Sequence, residues 1–142
     1  MKTSEVIYLG NLRTKAIHFA SGKEIITDAP IDNKGKGEFF SPTDLVATAF
    51  ASCILTIMGI AAETLNYNIN NTKVEVTKIM SSNPRKIAEI QAKFIFPNVH
   101  YTDKQKKALI QIAQSCPVSL SLNSSIKRHI TFVFNDETIV IQ

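Results

Sequence analysis

The stretch Ser41–Leu65, SPTDLVATAFASCILTIMGIAAETL, decides how this chain is organised. Ser41 suits a helix N-cap, Pro42 a first helical position, and Asp44 completes an S-x-x-D capping box. From Leu45 to Ala62 there is no charge, and apolar residues fall all round the helix rather than on one stripe. Such a helix must be enclosed by protein or by lipid. Small residues, among them Ala47, Ala51, Gly59 and Ala61, recur along it, so neighbouring elements can approach its backbone closely. Cys53 sits at its middle.

An uncharged run of this length is at the lower limit for a membrane span. Its content of Ala, Thr and Ser, the bracketing Asp44 and Glu63, and the lack of a flanking basic cluster argue against one. An enclosed core helix is expected, with no membrane partner.

Upstream, Glu5–Leu9, Arg13–Ala20 and Lys23–Thr27 read as three strands separated by Gly10-Asn11 and Ser21-Gly22 turns. Asp28–Phe40 is a long polar loop leading into the helix; its Gly-Lys-Gly lacks the spacing of a phosphate-binding loop. Downstream, Thr72–Met80 and Lys86–Phe96 read as a hairpin. The second of these strands alternates, with Ala88, Ile90, Ala92, Phe94 and Phe96 on one face and Glu89, Gln91 and Lys93 on the other. Thr102 and Gln105 form a second capping box, opening a helix through about Ser115. Its inward stripe runs Leu109, Ile112, Ala113 and on to Cys116. Pro117 stops that helix and suits the first position of a short new one, PVSLSL, with Cys116 as its cap; N–H groups there lower a thiol pKa. Lys127–Phe134 is the last predicted strand.

The order β-β-β-α-β-β-α-β, built on hairpins, predicts an α+β fold. Its central helix is too apolar for one sheet face to cover, so unless the sheet curls around it a twofold homodimer is expected. With 142 residues, 44% hydrophobic and 20% charged, the chain predicts a single globular domain over 1–142. The net charge of +4 comes from scattered lysines and a short KQKK cluster at Lys104–Lys107, a solvated face rather than the basic stripe of a nucleic-acid binder. The N-terminal MKTSEVIYLG lacks the apolar run of a secretory signal, so the expected location is cytoplasmic.

Two cysteines in a cytoplasmic chain of this size are either inert buried thiols or a redox pair. As a pair they would reduce a peroxide: one thiolate becomes a sulfenic acid and the other condenses with it. Arg13 and Asp44 are candidates for the cation and the acceptor that orients it. His18, His100 and His129 are dispersed without metal-ligand spacing.

SPTDLVATAFASC, followed after about sixty residues by QSCPVSLSL, resembles the OsmC/Ohr family of thiol-dependent hydroperoxide reductases, which carries one cysteine on a central helix and a second in a Cys-Pro motif. The resemblance covers essentially the whole chain. It implies an α+β fold in which two subunits intertwine around the cysteine-bearing helices, with two active sites at the dimer interface. It further implies that Cys53 is the peroxidatic cysteine, Cys116 the resolving one, and Arg13 the arginine that serves the thiolate. The family's reductases hold that arginine with a Glu directly after the proline. Here Thr43 follows Pro42, which leaves Asp44, or Glu38 in the approach loop, as acceptor. The implied activity is reduction of organic hydroperoxides with electrons from a dithiol, in oxidative-stress defence; no metal, flavin or haem is implied. The other reading is a non-catalytic dimer that binds an apolar ligand or senses redox state through its thiols.

Overall fold

In the computed structural model, which describes Met1–Gln142, the predicted capping box forms. The Asp44 N–H donates to Ser41 Oγ at 3.0 Å, and the Ser41 N–H donates to Asp44 Oδ2 at 2.9 Å. This pair of bonds, worth about 1 kcal/mol, starts α1, Pro42–Thr64. The helix ends where Asn66 turns left-handed at φ 60°. Tyr67 N–H then reaches back to Ala62 O at 3.0 Å and Asn66 N–H to Glu63 O at 3.2 Å, which satisfies two of the last carbonyls.

One stripe of α1 is buried within the chain: Ala47, Phe50, Ala51, Ile54, Met58 and Ala62. The opposite stripe, Ala49, Ser52, Thr56 and Ile60, is exposed, with Ile60 at 60%. The full enclosure expected of so apolar a helix is therefore met on one side only in the single chain. By length and composition α1 alone among the helices is able to cross a membrane.

Two compact units, Met1–Val46 and Ala47–Gln142, divide the chain, with the boundary inside α1. The N-terminal unit is an antiparallel sheet of β1 (Ser4–Gly10), β2 (Arg13–His18) and β3 (Glu24–Asp28), in that order. Its first turn is tight, with Asn11 and Leu12 both at positive φ, the conformation that matches the twist of a two-residue hairpin. The register sets Arg13 directly opposite Asp28. Val6, Tyr8 and Ile25 remain more than half exposed on this sheet.

The C-terminal unit carries a four-stranded sheet, ordered β4 (Lys73–Ser82), β5 (Arg85–Ile95), β6 (Lys127–Val133) and β7 (Thr138–Ile141). The fold is α+β, as predicted. β5 and β6 run parallel, so the chain between them is a long crossover. It holds α2 (Asp103–Ala113) and α3 (Pro117–Ser121). Ile90, Ala92 and Phe94 on β5 and Ile130 and Phe132 on β6 point into the core. Phe94 stacks on Phe132 at 5.5 Å, and Phe96 on Phe134 at 4.4 Å. Each such ring contributes roughly 1.5–3 kcal/mol by burial.

Three differences from the sequence reading have physical causes. The alternation on β5 breaks at Ala88: the β4–β5 register jumps between Ile79 and Met80, so that Ile87 rather than Ala88 is the deeply buried residue. β7 was not predicted; its four residues follow closely on β6 and pair with that strand alone. Lys106 belongs to the buried stripe of α2 rather than to a solvated KQKK face. It is 3% exposed because its Nζ reaches Asp136 Oδ1 at 2.7 Å and Glu137 Oε1 at 2.9 Å. Those carboxylates hold the Lys106 ammonium above its usual pKa against the opposing effect of burial.

Candidate active site

Pro117 decides where the second thiol sits. It cannot continue α2, and its fixed φ suits the first turn of α3. Cys116 is left as the N-cap of α3, completely buried, with its Sγ accepting from the Ser119 N–H at 3.4 Å. The thiol in turn donates to Phe50 O on α1 at 3.9 Å. Cys53, one turn along α1 from Phe50, is part-exposed. Both cysteines are free thiols, and Cys53 is close enough to Cys116 to contribute to the upward push on its thiol.

The cap predicts a lowered pKa for Cys116, and the structure gives the opposite sign. Burial pushes the thiol up, the Ser119 N–H pulls it down less strongly, and neighbouring Cys53 pushes it up again. Desolvation outweighs the cap, and at rest Cys116 is a protonated thiol.

The arginine is built separately, in the N-terminal unit. Arg13 Nε donates to Asp28 Oδ1 at 2.8 Å and Nη2 to Asp28 Oδ2 at 2.9 Å, a two-pronged clamp between directly paired strand positions. Asp28 is 1% exposed, and its Oδ2 also accepts from the Glu38 N–H at 3.0 Å. The Glu38 carboxylate lies 3.6 Å from Arg13 Nη2, and the Phe39 ring lies under the guanidinium at 4.7 Å. Arg13 holds the Asp28 carboxyl below its usual pKa despite burial, with help from the Glu38 N–H. Of the five N–H donors of a guanidinium, those on Nη1 are turned to neither oxygen of Asp28.

By sequence alone the acceptor is Asp44 or Glu38. Asp28 takes the main role, Glu38 a lesser one, and the Asp44 carboxylate is engaged at the α1 N-terminus on Ser41. Sequence spacing hid Asp28 because it stands at the start of the Asp28–Phe40 loop, far from any motif. The signal that could have found it is strand pairing: in a short hairpin starting at Arg13, Asp28 is the only acid at the matching end of the next strand.

No group of three or more His, Cys, Asp or Glu side chains comes together to hold a metal ion. A buried thiol at the N-cap of α3, beside a part-exposed one on the long apolar α1, defines an α+β dithiol protein. The OsmC-like protein model matches residues 35–131, and the chain belongs to that family, the OsmC/Ohr proteins. A crystal structure from Psychrobacter arcticus 273-4, provisionally described as an osmotic stress induced and detoxification response protein, is 48% identical. It superposes with a TM-score of 0.90 over 94% of this chain and 96% of its own. The organic hydroperoxide resistance protein OsmC of Legionella pneumophila shares the fold at 14% identity and a TM-score of 0.69, covering 93% and 97% of the two chains. An organic hydroperoxide resistance protein of Elizabethkingia anophelis does so at 18% and 0.67, covering 95% and 98%. Among curated proteins compared, none matches.

Proposed function

We propose that this chain is a thiol-dependent peroxidase that reduces organic hydroperoxides in oxidative-stress defence, as a cytoplasmic homodimer. The observation that carries the reading is the pairing of two free thiols of unequal exposure, Cys53 part-exposed and Cys116 buried beside it. The more accessible thiol meets the peroxide; the enclosed one meets only its partner. Family membership and the hydroperoxide resistance proteins that share the fold support the same chemistry.

In the proposed cycle the Cys53 thiolate attacks the outer oxygen of ROOH. The O–O bond breaks, RO⁻ takes a proton and leaves as ROH, and Cys53 becomes a sulfenic acid. The Cys116 sulfur, losing its proton, then attacks the Cys53 sulfur. An S–S bond forms, the S–O bond breaks, and hydroxide leaves with that proton as water. A dithiol reductant returns both thiols by exchange. Arg13 is the proposed cation for the Cys53 thiolate and the peroxide, with Asp28 and Glu38 fixing its orientation and Nη1 left to act. The exposed stripe of α1 and the exposed Val6, Tyr8 and Ile25 support a homodimer, since so much open apolar surface calls for a covering subunit.

The test is intact mass of the reduced protein after one equivalent of cumene hydroperoxide. The expected result is loss of two hydrogen atoms in the wild type, oxidation trapped on Cys53 in Cys116→Ser, and none in Cys53→Ser. Both thiols staying reduced while a control peroxidase oxidises would overturn the proposal.

A further inference from the structure

Arg128 on β6 pairs in register with Ile90, a fully buried position, and shares its strand face with Ile130 and Phe132. A guanidinium there needs partners, and the ones it takes are neutral. Its Nε donates to Ser119 Oγ at 3.0 Å and its Nη2 to Ser119 O at 2.8 Å. Nη2 also donates to Leu122 O at 3.4 Å, and Nη1 to Ile126 O at 2.6 Å and Asn123 O at 3.3 Å. The side chain thus closes the C-terminal end of α3, where a cation on the last carbonyls is favourable. Cys116 closes the other end of the same five-residue helix.

Ser119 is the residue the two ends share. Its N–H points at Cys116 Sγ, while its side-chain and main-chain oxygens are both held by Arg128. A helix this short has almost no cooperativity of its own, so its geometry depends on what grips it from outside. The main polar group that favours the anionic form of the buried Cys116 sulfur, ahead of the Val118 N–H, is therefore aimed by a side chain on a neighbouring strand.

We propose that Arg128 is a positioning residue for the second thiol: by holding Ser119 at two atoms it keeps the Ser119 N–H on Cys116 Sγ and governs how readily Cys116 attacks an oxidised Cys53. The role of Cys116 as resolving thiol rests on the peroxidase reading; its ability to close a disulfide with Cys53 rests only on their being neighbours.

The test avoids peroxide. The reduced wild-type protein is mixed with a chromogenic aryl disulfide, Ar–S–S–Ar. The part-exposed Cys53 thiolate attacks one sulfur, a mixed disulfide forms and the first ArS⁻ leaves. Cys116 then attacks the Cys53 sulfur, the internal S–S bond forms and a second ArS⁻ leaves. In Arg128→Gln the first release is expected at the wild-type rate. The second is expected to slow about tenfold, the change in thiolate fraction for one unit of thiol pKa, with its rate profile displaced to higher pH. Arg128→Lys, which keeps the charge but not the fork, recovers part of the loss. Ser119→Ala, which removes only the hydroxyl acceptor, gives a smaller slowing of the same sign and serves should Arg128→Gln fail to fold. A second release at the wild-type rate and pH profile in either folded variant overturns the proposal, as does equal slowing of both releases. Two releases from a wild type that reduces no hydroperoxide would end the peroxidase reading and leave this one standing.

Discussion

Asp28 meets Arg13 edge to edge across paired positions of β2 and β3, each of its carboxylate oxygens taking one guanidinium N–H. Because Asp28 is buried and Arg13 is partly exposed, the acid is the fixed member and the cation the one presented.

If that presentation serves Cys53, loss of Asp28 is felt as misplacement of charge. Asp28→Asn is expected to slow oxidation of Cys53 by cumene hydroperoxide about tenfold or more, since small displacements of a positioned group are costly in rate. Glu38→Gln, which removes a partner that is 3.6 Å away and 59% exposed, is expected to slow it less than about threefold. Stopped-flow trapping of the Cys53 sulfenic acid separates the two. Equal rates in wild type and Asp28→Asn would remove the clamp from the mechanism.

The clamp and the Lys106 cluster also set an acid limit on stability. Arg13 lowers the Asp28 pKa and Lys106 lowers that of Asp136 from the ordinary value of 3.8. A carboxyl whose folded pKa is depressed stabilises the fold above its unfolded pKa, and that contribution is lost as pH falls through the folded value. Arg13 and Lys106 have raised pKa values, so their share is fully present across the neutral range and is lost only in strong base. The thermal midpoint is therefore expected to be flat from about pH 5 to about pH 9 and to fall steeply below about pH 4. Asp28→Asn and Lys106→Met should each make the acid fall shallower. Calorimetry across pH reads this directly, and an unchanged slope in both variants would count against it.

The open stripe of α1 gives a prediction about assembly. Ile60→Glu places a charge on a surface that is 60% exposed in one chain, so a monomeric protein would lose little stability by it. In the proposed homodimer the change is expected to shift the mass measured by light scattering from two chains to one and to lower the thermal midpoint. A wild type of single-chain mass would remove the dimer from the proposal.

Much of this was legible in the residues because local chemistry and long-range packing agree. The capping boxes at Ser41 and Thr102 and the helix break at Pro117 are each decided by a few neighbouring side chains. The three opening strands follow from the turn signals that bound them, and much of β5 from period-two patterning. What stayed hidden depends on residues far apart in sequence. Asp28 becomes the arginine's partner only when β2 pairs with β3. Lys106 is buried only because Asp136 and Glu137 arrive thirty residues later. The sign of the Cys116 shift required knowing how completely the thiol is enclosed, which no cap motif encodes.

The parallel pairing of β5 with β6 bears on how the chain acquires its chemistry. Cys116 lies in the crossover between those strands and Arg128 on the second of them, whereas Cys53 precedes both. A connection of that kind closes slowly, because its loop entropy is lost before the strands reward it. During synthesis Cys53 therefore exists for a time as a lone thiol without its neighbour. In the proposed dithiol cycle, oxidation of Cys53 at that stage would have no intramolecular outlet, and reducing conditions around the growing chain would protect the yield of competent protein.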